Sequence, residues 1–225
     1  PNLPNTQPDA EGFYNTLGNK GWTKKYDFGD SMAWESDFEK QSVGGSDYVY
    51  MDQVDFAYFS GHGSPNNFYF GIPHDGDNDL WEQLFNPCTV DNGEVSWGDT
   101  DLEWLVLKSC NVLQWSSGWW IFAQNVFQRW GPAFNGLHQI LGFDTIEYVD
   151  PYTGTIFANY MTRPWYQGGS MKIKDAWFQT NIEMQPPEVY SAVLSTNNGW
   201  NDYLPGYGPV GSDGGAYLIW QRVQS

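Results

Sequence analysis

Val54-Asp55-Phe56-Ala57-Tyr58-Phe59-Ser60-Gly61-His62-Gly63-Ser64 is the stretch whose reading decides the fold. A short apolar run, rich in aromatic residues, stops abruptly on a glycine-flanked histidine. A second run, Leu102 to Leu107, stops in the same way on Ser109-Cys110. Apolar runs of this length, bounded by turn residues, read as strands buried on both faces, and such strands belong to parallel sheets. Ligands of open α/β sheets gather beyond the carboxyl ends of the strands. A His and a Cys at two such ends can therefore meet in space although they lie far apart in sequence.

Outward from these two runs, strand-like and helix-like segments keep alternating. Leu137 to Phe143, Val189 to Leu194 and Ala216 to Val223 read as further strands, and Trp22 to Phe28 alternates weakly. Helices are expected over Glu11 to Leu17, from an N-capping Ser31 with Trp34, Phe38 and Gln41 on one face, and over Ser117 to Trp130. Two more are expected over Pro151 to Met161 and Ser170 to Ile182. Residues 1–10 hold three prolines without periodicity and read as an irregular arm. The expectation is one α/β domain over residues 11–225, with a central, mostly parallel sheet flanked by helices.

The 225 residues suffice for a substantial core, and Trp 13, Tyr 14 and Phe 14 make the chain unusually aromatic. Disorder is excluded for most of it, because disordered chains lack such surface to bury. The charge is −17, from 10 basic and 27 acidic residues, and that field repels nucleic acid and anionic membrane. A basic substrate or a bound cation fits better. No apolar window of membrane-spanning length occurs. No signal peptide is present, and a chain beginning at Pro1 rather than Met reads as processed or artificially bounded. Abundant Trp, Asn and Gly with little Lys points to an extracellular protein. Cys88 and Cys110 are too few for a disulfide scaffold.

The chemistry is expected at His62 and Cys110. A neutral imidazole takes a proton from a thiol and returns it to a leaving amine, and the thiolate is a strong nucleophile. Gly61 and Gly63 free the backbone around His62, and the Gly63 N–H can face a developing oxyanion. Plainer readings stand beside these: a histidine closing a tight turn, a cysteine acting as a small buried hydrophobe, or a Cys88–Cys110 disulfide. The order His then Cys, about 50 residues apart, matches caspase-type sites.

His-Gly after one apolar block and Ser-Cys after another, written here Ser60-Gly61-His62-Gly63-Ser64 and Ser109-Cys110-Asn111, resembles the caspase-fold cysteine peptidases, closest to their gingipain and clostripain-like branch. Gly136-Leu137-His138-Gln139-Ile140-Leu141-Gly142-Phe143 resembles the strand that follows the nucleophile helix there. The resemblance covers about residues 50–180. It implies a His62/Cys110 dyad acting through a thioester, with the N–H groups of Gly63 and Cys110 as oxyanion hole. The caspase Gln-Ala-Cys-X-Gly signature is missing, since Asn111-Val112 follows the cysteine, so aspartate specificity is not implied.

Asp75, Asp77 and Asp79 stand at alternate positions, as in the first half of a calcium loop, though the glycine and the closing glutamate of that loop are missing. A structural Ca²⁺ is one reading and a solvated acidic turn the other; the thiol chemistry needs no cofactor. Asp144, Glu147 and Asp150 follow the third strand, where a carboxylate would select Arg or Lys before the cut. His74 and His138 read as structural. Trp119, Trp120, Trp165 and Trp200 read as core filling, with a sugar-lining groove as the rival. The expected partner is a peptide or protein substrate. The rival functions are a catalytically silent caspase-like module, binding a partner or calcium, and a carbohydrate-binding or glycosidase domain.

Overall fold

A computed structural model describes residues 3–71, 88–118 and 122–225. The centre is a five-stranded sheet of β1 (Phe56–Ser60), β5 (Trp104–Lys108), β8 (Gln139–Phe143), β9 (Tyr190–Thr196) and β10 (Leu218–Gln224), in that spatial order. β1, β5 and β8 pair in parallel, and β9 then runs antiparallel to both β8 and β10. The fold is thus mixed α/β about a mostly parallel sheet. β5 and β8 are buried at every position, as strands covered on both faces must be, whereas β1 is half-exposed throughout because it forms one edge.

Among the described residues the long helices lie on one face: α1 (Thr6–Asn19), α3 (Thr153–Thr162) and α4 (Ile173–Met184). Phe13, Phe157 and Trp177 of these helices meet Trp104, Val106, Leu141 and Phe143 of the sheet in one core. α1 and α3 approach closely because both offer glycine at the crossing. A Cβ on Gly154 would stand 2.3 Å from the Asp9 carbonyl oxygen, and one on Gly12 would stand 2.4 Å from Thr155 Oγ1. The opposite face carries a second core around Phe68, Trp97, Leu105, Leu107 and Trp130. Its cover is a small sheet of β2 (His62–Gly63), β3 (Asn67–Tyr69) and β4 (Thr89–Asp91), a β6–β7 hairpin (Ser116–Ser117 with Gln124–Asn125) and the short α2 (Val126–Trp130).

Four expectations are corrected. α1 starts at Thr6, inside the stretch read as an irregular arm, and its Asp9 is fully buried. The helix expected after Ser31 is replaced by separate 3₁₀ turns at Asp30–Met32, Glu35–Asp37 and Gln41–Val43. Its backbone groups are claimed elsewhere: Trp97 Nε1 donates to the Phe38 carbonyl (2.8 Å), and the Lys40 N–H goes to the Glu94 carbonyl (2.9 Å). Phe38 itself is drawn into a cluster with Phe59, Phe68 and Phe70. Of the helix read over Ser117 to Trp130, the described residues hold only α2, preceded by the paired strands β6 and β7. Gly118 at φ +101 starts the turn, and an Asn125/Gln128 capping box sets the helix start. Trp22 to Phe28 forms no strand.

The loops entering β5 and β8 cross at a pair of glycines. Gly98 and Gly136 both have left-handed φ values, +91 and +122, and a Cβ on Gly136 would stand 1.8 Å from the Gly98 oxygen. Among the described residues, no helix is long and apolar enough to cross a membrane.

Candidate functional site

The site begins as a matter of strand register. β1 and β5 pair from Phe56 with Trp104 to Ser60 with Lys108, and the Gly61 N–H continues the ladder to the Lys108 carbonyl at 3.1 Å. His62 and Cys110 each follow two residues after the last paired residues, Ser60 and Lys108. Beyond the ladder the two turns touch. A Cβ on Gly63 would lie 2.5 Å from Ser109 Cβ and 3.2 Å from the Cys110 carbonyl oxygen, so glycine lets the histidine turn lie flat on the cysteine turn. His62 and Cys110 therefore share the carboxyl rim of adjacent strands. Cys88 and Cys110 are not joined in a disulfide, which removes that reading.

Hairpin geometry orients the Gly63 N–H. Ser64 donates to the Asn67 carbonyl at 2.8 Å, closing the β2–β3 turn, while Gly63 faces Phe68 and His62 faces Tyr69. Hydrogen-bonded and non-bonded pairs alternate in an antiparallel ladder, so Gly63 directs its N–H away from β3. The turn is anchored from behind. The Pro65 carbonyl accepts from Arg129 Nε (2.9 Å) and Trp130 Nε1 (3.1 Å), and buried Arg129 also donates to the Gln124 carbonyl (2.6 Å) and to that of Gln114.

Cys110 ends β5 in a tight turn. Asn111 follows it at φ +61, a left-handed conformation that Asn tolerates better than most residues, and its N–H donates to the Thr145 carbonyl at 2.9 Å. The Cys110 thiol donates to the Glu147 carbonyl (3.9 Å) and its sulfur accepts the Glu147 N–H (3.5 Å). Burial pushes the thiol pKa up; the Glu147 N–H opposes this and the Glu147 charge adds to it. The resting sulfur is therefore protonated at neutral pH and needs a base. Ser109 Oγ, fully buried beside it, has no hydrogen-bond partner among the described residues.

The three carboxylates expected near the third strand separate in role. Asp144 is buried and engaged: it accepts the Trp115 N–H at 2.6 Å and pairs with Arg222 Nη1. Asp150 accepts the Tyr152 and Thr153 N–H groups (2.7 and 2.9 Å) at the start of α3. Glu147 is the one beside the sulfur. It is buried, its Oε2 has no hydrogen-bond partner among the described residues, and burial pushes its pKa up to about 7 against the pull of Lys108. Ile146 and Tyr148, on either side of it, are exposed.

Beneath Cys110 lies an ionic cluster the sequence did not announce. Lys108 Nζ is 3.3 Å from Asp9 Oδ2 and 3.5 Å from Asp150 Oδ2. Tyr58 Oη donates to Asp9 at 2.8 Å, and so does the Gly154 N–H at 2.7 Å. The available signal was a lysine closing an otherwise apolar run. A buried, partnered charge is the only stable form of such a residue.

The calcium candidates Asp75, Asp77 and Asp79 lie outside the described residues, as do His74, Trp119 and Trp120. His138 is buried at the opposite rim, with Nδ1 2.6 Å from Asp202 Oδ2. Trp165 is 85% exposed and is not core filling, while Trp200 packs against the helix-side core under Lys174.

No curated protein and no solved structure matches the chain. One family model, described as a domain of unknown function (DUF6345), matches residues 1–224. The chain thus belongs to the DUF6345 family.

Proposed function

We propose that this protein is a cysteine peptidase of caspase-like architecture, acting through Cys110 with His62 as its base. The observation that carries the reading is the parallel pairing of β1 with β5, whose neighbouring carboxyl ends lead into His62 and Cys110, with Gly63 packed against Ser109. His62 takes the thiol proton as sulfur attacks the scissile carbonyl, and the N–H groups of Gly63 and Cys110 hold the oxyanion. The tetrahedral adduct collapses to a thioester, and the imidazolium gives its proton to the departing amine. Water, deprotonated by His62, then releases the acid and restores the thiol. Because burial raises the thiol pKa, proton transfer accompanies attack rather than preceding it.

Asp144 is committed to Arg222 and the Glu147 carboxyl is buried in reach of Lys108, so selection of a basic residue before the cut rests on the acidic surface rather than on either carboxylate. The acidic surface favours such substrates. Secretion, and a structural Ca²⁺ on Asp75, Asp77 and Asp79, belong to the same reading. The chemistry itself requires no cofactor.

The test is covalent. A peptidyl chloromethyl ketone ending in Arg or Lys should add one adduct at Cys110, and a peptide panel should be cleaved by the native chain but not by Cys110→Ala. Thermal stability should be unchanged by that substitution. Adducts at Cys88 instead, or equal turnover by the variant, would overturn the assignment. A second reading, a silent caspase-like module, rests on the hydrogen bonds that hold the Cys110 sulfur against Glu147. It expects no adduct and slow titration of Cys110 in the native protein.

A further inference from the structure

β1 is an edge strand, and its outer side is open. In a parallel ladder, alternate residues turn both backbone groups to the same neighbour. Asp55 accepts the Trp104 N–H (3.2 Å) and the Gly61 N–H reaches Lys108, so the odd-numbered residues of β1 serve β5. The N–H and C=O groups of Phe56, Tyr58 and Ser60 consequently face away from the sheet. Among the described residues no backbone group pairs with them. They look into a groove of about 620 Å³, walled by α1 and the 22–31 segment and ending at Gly61 and His62. Tyr14, Trp22 and Phe28 supply apolar wall. Exposed Asp27, Asp30 and Asp55 supply charge, while Lys24 and Lys25 are tied to Asn15 and to the Gln53 carbonyl.

An unpaired edge row is a template for another strand, and a groove beside it selects the strand's side chains. We infer that the β1 groove binds an extended segment of a partner polypeptide as a sixth strand of the sheet. Its chemistry is alternately apolar and basic, to match the aromatic wall and the three aspartates. β1 is five residues long, so the segment matched by the ladder spans about 17 Å. This goes beyond the peptidase reading and does not depend on it, since the groove's backbone groups act whether or not Cys110 reacts.

The probe is a fluorescein-labelled synthetic peptide alternating Val and Lys, titrated by anisotropy against the native chain and Cys110→Ala alike. Equal binding by both keeps this proposal separate from the catalytic one. Two N-methylated versions carry the decision, each methylated on alternate amides. Strand addition requires that one version lose affinity at least about tenfold while the other retains it. Bound peptide should also slow amide exchange at Phe56, Tyr58 and Ser60 by about tenfold or more, with Ala57 and Phe59 slow in both states. Asp27→Lys with Asp30→Lys should weaken binding about tenfold. Equal tolerance or equal loss for the two methylated peptides overturns the proposal. So does the absence of binding, or a concentration-dependent dimer that alone protects those three amides.

Discussion

Lys108 Nζ lies 3.3 Å from Asp9 Oδ2, and both side chains are wholly buried. This ion pair joins the first helix to the last residue of β5, two positions before the candidate nucleophile. Helix-side packing and the posture of the cysteine turn are thereby coupled.

Breaking one side of that pair strands the other charge in the core. Lys108→Met should lower unfolding free energy by roughly 3–5 kcal/mol in urea titration. The paired replacement Lys108→Met with Asp9→Leu should recover part of the loss, although Tyr58 and the Gly154 N–H would then lack their acceptor. A single variant as stable as the native chain would mean the pair is not buried as described.

Contact between the turns makes Gly63 sensitive to a single methyl group. A Cβ there meets Ser109 Cβ at 2.5 Å, so Gly63→Ala must push the histidine turn off the cysteine turn. Overpacking of this kind costs about 1–3 kcal/mol. A displacement near 1 Å should cut the rate of Cys110 adduct formation about a hundredfold. Intact-mass kinetics with the chloromethyl ketone would show it, and an unchanged rate would argue against a shared site.

His62→Ala should leave the melting temperature nearly unchanged and slow adduct formation about 10²–10⁴-fold. The reason is the raised thiol pKa: without a neighbouring base almost no thiolate exists at neutral pH. If the thiolate formed independently of His62, the two chains would react alike.

Stability should fall as pH rises from 4 to 8. Glu147, Glu103 and Asp47 are each pushed up to about 7, and Asp52 to about 6, all chiefly by burial. Unfolded carboxyls titrate near 4, so between about pH 4 and 7 the folded chain holds protons that the unfolded chain has lost. Each such group favours folding below its folded pKa, and that advantage disappears as pH climbs through it. Relief of the −17 charge at low pH acts in the same direction. Calorimetry should give a higher melting temperature at pH 5 than at pH 8; the reverse order would contradict these protonation states.

The parallel core was legible because its strands are uninterrupted apolar runs ending on turn residues. Phe56 to Ser60, Trp104 to Lys108 and Gln139 to Phe143 all lie where the runs fall. His62 and Cys110 were legible as residues just past strand ends, and their placement on one rim needed only that the two strands be neighbours. What stayed hidden depends on long-range partners. Nothing local marks Phe38 as having its carbonyl taken by Trp97, which is why helical spacing after Ser31 misled. Nor does any window show that Arg129 braces Pro65, or that Asp9 meets Lys108 across the sheet end. Glycines misled in the other direction: Gly118 reads as tolerable within a helix, yet its positive φ makes it a turn.

The crossing of Gly98 and Gly136 bears on how this scaffold can be re-engineered. With one glycine's missing Cβ standing where the other's carbonyl lies, the two entry loops behave as a single mechanical joint. Reporter modules inserted at either point would pry apart the starts of β5 and β8 together. The Gly168–Gly169 turn between α3 and α4 has open space around Gly169, which makes it the natural port for such a fusion.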